Sequence, residues 1–133
     1  MEFVFLAVLV VVPLLYLVLT LSRLQAGAYA VSAAAREAGR AYVTADSADA
    51  APRRAEAAAR LAFEDQGFSS TQSRLDLSCH GSPCLHPAAR VTMVASVRVP
   101  LPLVPAFARA VIPLEISESA SHVAVVDPFR GMP

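Results

Sequence analysis

Residues 3–22 read FVFLAVLVVVPLLYLVLTLS, twenty consecutive positions without a charge. At about 1.5 Å of rise per residue such a stretch matches the roughly 30 Å hydrocarbon thickness of a bilayer. One transmembrane helix is therefore expected. Pro13 lies inside it, which membrane helices tolerate because neighbouring groups and local adjustments satisfy the freed carbonyl; a kink is expected near Leu9–Pro13. The rival is a cleaved secretion signal, for which Ala26-Gly27-Ala28 and Ala28-Tyr29-Ala30 offer small-residue peptidase sites. A signal peptide has a basic leading region and an apolar core of about 7–15 residues. Here Glu2 is the only charge ahead of the apolar run, which favours an anchor.

The helical pattern does not stop at the end of the span. Residues 24–43, LQAGAYAVSAAAREAGRAYV, contain no proline and are rich in Ala, the best helix former. A single helix from Glu2 to about Val43 is expected, half of it beyond the membrane. Ala26, Ala30, Ala34 and Ala38 form one i, i+4 row, with Gly27, Val31, Ala35 and Gly39 beside it. Small residues at this spacing let helix backbones approach closely, so Ala30, Ala34 and Gly39 are candidates for subunit packing.

Residues 44–51, TADSADAA, break the pattern, and Pro52 suits the first turn of a second, shorter helix. Within it Glu56, Arg60 and Glu64 are spaced for surface ion pairs, Ala58, Leu61 and Ala62 are expected to face inward, and Gly67 is a natural C-cap. The period then changes from 3.6 to 2. Leu75, Leu77 and Cys79 alternate with polar residues, as do Val91, Met93, Ala95, Val97 and Val99. A third alternation begins at Ile112, Leu114 and Ile116, loses phase across Ser117–His122 and resumes at Val123 and Val125, suggesting a β-bulge or bend. Pro100, Pro102 and Pro105 confine the segment between the last two strands to an edge or a crossing loop. The expected fold is α+β: a long helix, a short helix and a three-stranded antiparallel meander whose apolar face the helices cover. Residues 1–45 form the transmembrane and extended helix, and residues 46–133 a small extracytoplasmic domain.

Eleven basic residues balance eleven acidic ones, so no net field attracts nucleic acid, and no nucleic-acid partner is predicted. Cys79 and Cys84 flank HGSP and fit a disulfide outside the cytoplasm. Cys79, His80, Cys84 and His86 supply zinc-ligand types, but adjacent residues 79 and 80 point apart in an extended chain, so no metal site is assigned. Ser117, Glu118, Ser119, Ser121 and His122 could be drawn as a catalytic constellation. The chain carries no nucleophile elbow, HExxH, P-loop or dinucleotide-binding glycine pattern. These residues are therefore expected to be exposed polar positions on an edge strand, with no catalytic residue, no cofactor and no enzymatic activity.

Glu2 carries more information than any other single residue, because a carboxylate at the edge of an apolar span must reach headgroups, be protonated or meet a cation. The opening EFVFLAVLVVVPLLYLVL followed by AAAREAGRAYV resembles the TadE-like family, minor pilins of the tight-adherence branch of type IV pili. The resemblance covers residues 2–43. It implies a minor pilin or pilus-assembly subunit at the cell surface that acts by helix packing and not by catalysis. Its partners would be other pilin subunits, the pilus assembly machinery, membrane lipid and, where a leader is encoded upstream, a prepilin peptidase. By resemblance Glu2, in the pair Glu2-Phe3, takes the family's assembly role of pairing with a neighbour's N-terminal amine. The alternative is a single-pass, membrane-anchored binding protein of the cell envelope.

Overall fold

A computed structural model describes residues 1–102, 104, 108, 110–111 and 114–131 of the chain. It has the α+β architecture that the periodicities predict. Helix α1 spans Glu2–Val43 and α2 spans Ala50–Asp65; strands β1 (Ser73–Cys79), β2 (Arg90–Pro100) and β3 (Glu115–Val125) follow. The strands form one antiparallel sheet in the order β1-β2-β3.

Helix α1 divides into two halves of different surroundings. It runs unbroken through Pro13, and its large apolar side chains from Phe3 to Leu21 are exposed. From Gly27 onward one face is buried: Gly27, Ala30, Val31, Ala34, Ala35, Ala38, Gly39 and Tyr42. The second half of α1 thus belongs to the same core as the sheet, and a division at residue 45 separates α1 from α2 and the strands without separating two cores.

The sheet supplies the bulk that the helix lacks. Val91, Met93, Ala95, Val97 and Val99, the alternate residues of β2, are all buried, as the period-2 pattern predicts. A fully buried Val or Met side chain stabilises by about 1.5–3 kcal/mol, so the central strand is the main apolar contribution. Opposite it, the helix brings backbone instead of side chain. A Cβ added at Gly27 would lie 2.5 Å from Val99 Cγ2, and one at Gly39 would lie 3.1 Å from both Ala124 Cβ and His122 Cδ2.

Helix α2 folds back along α1 on a narrow row, Ala51, Ala55, Ala59 and Phe63. This corrects the expected inward set. Ala58 and Ala62 border the row, but Leu61 is 58% exposed, because at about 100° per residue it falls well off the arc that the i, i+4 row defines. The end of α2 is closed as the glycine predicts. Gly67 adopts φ +78°, Gly67 N–H donates to the Glu64 carbonyl and Phe68 N–H to the Phe63 carbonyl, the paired bonds of a Schellman motif. Phe63 and Phe68 are both buried beside it. On the outer surface Arg60 and Glu64 form the expected i, i+4 pair at 3.7 Å.

The third strand departs from expectation. Its pairing with β2 runs without interruption from Pro100↔Glu115 to Arg90↔Val125, so it has no bulge. The inward phase of Ile116 continues through Glu118, Ala120, His122 and Ala124, and Val123 and Val125 point outward at 52% exposure each. The apparent loss of phase comes from two polar residues at inward positions. Ile112 and Pro105 lie outside the described residues.

Gly27→Ala tests the close approach. Alanine adds up to about 1 kcal/mol of helix propensity over glycine, whereas forcing a methyl into a packed core costs about 1–3 kcal/mol. A net loss on the order of 1 kcal/mol is expected in denaturant unfolding, relative to wild type; a gain in stability would show that α1 can stand off the sheet.

Candidate functional site

The sequence-derived candidates fall at three separate places in the fold. Glu2 and Phe3 open α1 at its exposed apolar end, with Glu2 as the acid of the first turn, where a carboxylate complements the helix dipole. Ala30, Ala34 and Gly39 lie at the centre of the domain, buried against this chain's own sheet and α2. The close approach that these small residues permit is therefore made within the chain, and in this fold they are not offered to a neighbouring subunit. Cys79 and Cys84 are at the far end, joined as a disulfide with their Cα atoms 5.7 Å apart. Both sulfurs are used in that bond, so the zinc alternative loses its thiolate ligands. Among the described residues, no group of three or more His, Cys, Asp or Glu comes together.

The polar run on β3 does not assemble either. Strand side chains alternate between faces, so Ser117, Ser119 and Ser121 lie on the outer surface and Glu118 and His122 on the face turned toward α1. Glu118 and His122 are four residues apart on one strand, separated by about 13 Å at about 3.3 Å per residue. They stand opposite Gly27 and Gly39 respectively. These two positions were expected to be exposed; they are half-buried, and the glycines of α1 make the room for them. Glu118 Oε2 is buried with no hydrogen-bond partner, and burial raises the pKa of its carboxyl above the usual range.

A second feature escaped the sequence reading. Arg130, in the segment after β3, donates from Nη1 to the Val43 carbonyl at 2.7 Å and from Nη2 to the Ala45 carbonyl. It satisfies carbonyls left open at the C-terminal end of α1 and places positive charge at the negative end of the helix dipole. Nothing in the local pattern around residue 130 marks that role, because its partners lie 85 and more residues away. At the opposite end of the domain Arg98 donates from its backbone N–H to the Gln72 carbonyl and from Nη2 to the Thr71 carbonyl. These bonds fix the α2–β1 connection to the sheet.

No protein-family model, no curated protein and no solved structure matches the chain.

Two measurements follow from this geometry. Because folding favours the protonated form of Glu118, its contribution is fully present below the ordinary carboxyl pKa and is lost as pH rises through the raised value of the folded state. Glu118→Gln should raise stability near pH 7 and flatten its dependence between pH 4 and 7 in denaturant titrations; an unchanged profile would refute the assignment. The disulfide closes a short loop, and its reduction should cost about 2 kcal/mol on the chain-entropy account. Intact mass after alkylation without reductant should show no modified thiol.

Proposed function

We propose that the chain is a minor pilin or pilus-assembly subunit of a tight-adherence, type IV-like system, acting by helix packing and subunit assembly with no catalytic step. One observation carries the proposal. A single uninterrupted helix of 42 residues is bare and apolar over its first half and forms part of a folded α+β core over its second. That half-and-half helix suits a subunit stored in a membrane and transferred, with its head attached, into a helix-lined filament. By length and composition the helix can cross a membrane. Residues Glu2 and Phe3 open it in the arrangement that resembles TadE-like proteins. The disulfide supports a head outside the cytoplasm, where paired thiols are oxidised.

The second reading, a single-pass anchored protein that binds another envelope component, is favoured by the burial of Ala30, Ala34 and Gly39 within the chain. With that face occupied, contacts between subunits would fall on residues 3–22 and on the outer surface of the head.

Glu2 separates the two. Inside a helix bundle an ionised carboxylate is tolerated only when paired, and the partner would be a neighbouring subunit's amine or an Arg. Glu2 lies on the exposed apolar half, far from the core, so its replacement should leave head stability unchanged. Glu2→Gln is expected to insert in membranes at wild-type level and fall to background in sheared surface fractions, with Glu2→Asp intermediate. Equal recovery of Gln variant and wild type would remove the assembly role and favour the anchored binding protein.

A further inference from the structure

Beyond the single span, the sequence 101–114, LPLVPAFARAVIPL, holds one charge, Arg109, in fourteen residues. It connects β2 to β3. Among its described residues Val104 is buried, but Val111 is 85% exposed and Leu114 is 48% exposed. A connection in a small head would ordinarily present polar side chains to water. The reason for its composition follows from where the register puts it.

Gly27 of α1 faces Val99, and Gly39 faces Met93. The helix covers about 18 Å between these glycines at about 1.5 Å per residue, and the strand about 20 Å between their partners at about 3.3 Å per residue. Helix and strand are therefore nearly aligned, and position along one can be read on the other. Past Val99 the ladder continues, with Leu101 N–H donating to the Leu114 carbonyl at 2.9 Å. Two residues of strand beyond Val99 advance about 7 Å, which is about four to five residues of helix. Leu101 and Leu114 are thus level with Ser22 and Arg23, where the apolar run of α1 ends. The connection begins where the span ends.

We infer that the described exposed apolar residues of the β2–β3 connection, Val111 and Leu114, make a second membrane contact that seats the head on the lipid surface beside its own transmembrane helix. The inference rests on the reading of α1 as a membrane span. The occupant of the apolar surface is fixed by continuity: the lipid that surrounds residues 3–22 ends at the level where Leu101 and Leu114 stand. Headgroups extend about 5–8 Å beyond the hydrocarbon on each side, so Leu114 falls in the boundary zone where monotopic segments bury apolar side chains, and Val111 is the more exposed apolar residue of the same connection. Arg23 stands at the same level, the place from which cationic side chains reach headgroup phosphates. The opposite end of the head, with Cys79–Cys84 and Phe129, is about 30 Å away, since twenty-one helix residues separate Ser22 from Val43.

The chain contains no Trp, so a single introduced Trp reports its own environment. The full-length protein, reconstituted in phosphatidylcholine–phosphatidylglycerol vesicles with lipids brominated near the headgroup or deep in the acyl chain, is measured as four variants: Leu14→Trp in the span, Val111→Trp, Leu114→Trp and Phe129→Trp. Leu14→Trp should be quenched most by deep bromines. Val111→Trp and Leu114→Trp should be quenched at least threefold more than Phe129→Trp, and more by shallow bromines than deep. Phe129 is itself 72% exposed and controls for the affinity of indole for interfaces. If Leu14→Trp is quenched while both connection variants behave like Phe129→Trp, the second contact is overturned and the span stands. A blue-shifted but unquenched Val111→Trp would place that residue against protein, in the same or a second copy of the chain, and overturn the lipid contact. Failure to quench Leu14→Trp would overturn the span and the inference together.

Discussion

The distance between α1 and the sheet is the constraint on which the rest of the fold depends. Core packing is close to crystalline density, so two elements can approach only as far as their facing side chains allow. Here one partner gives up its side chains. Gly27, Ala30, Ala34, Ala38 and Gly39 leave the helix backbone nearly bare, and β2 fills the space with Val91, Met93, Val97 and Val99. The same closeness decides what β3 can carry. Glu118 and His122 fit on the helix-facing side because the residues of α1 opposite them are glycines. A bulkier helix would push the third strand away and open the core to water.

How far this was legible in the sequence depends on whether a residue's neighbours in the chain share its fate. The alternation on β2 is complete, and it identified every buried position there. The 42 residues of α1 were legible because no breaker interrupts their propensity except a proline that the apolar run absorbs. Strand β3 was misread because its inward positions hold Glu118 and His122 while Val123 and Val125 face out, so polarity and burial are inverted along half its length. Only the glycines across the space explain that inversion, and they lie some ninety residues earlier in the chain. On α2 an alanine-rich sequence offers several arcs of equal hydrophobicity, and the one used carries Phe63, which is buried as Phe68 is at the helix C-cap. The stripe of small residues was recognised as a packing surface; its partner, the chain's own sheet, was not visible in its spacing.

The two ends of the head differ in chemistry as well as position. The end near the apolar half of α1 is closed by Arg98 bonds to the α2–β1 connection and carries exposed apolar residues. The far end is closed covalently by Cys79–Cys84 and by Arg130 reaching the last carbonyls of α1. A tail tied in this way holds segments 85 and 87 residues apart in one place, so the last turn of α1 cannot fray without also releasing residues after β3.

The continuity of α1 has a mechanical consequence. Helix α1 is unbroken between Ser22 and Gly27, so the head is keyed to the apolar half of α1 like a blade to a shaft. Each residue inserted into that short interval would turn the sheet by about 100° about the helix axis and raise it by about 1.5 Å. Azimuth, and not tethering length, is therefore the coordinate that the five residues after Leu21 set: the direction in which the outer strands look is fixed relative to the faces of the apolar half of α1.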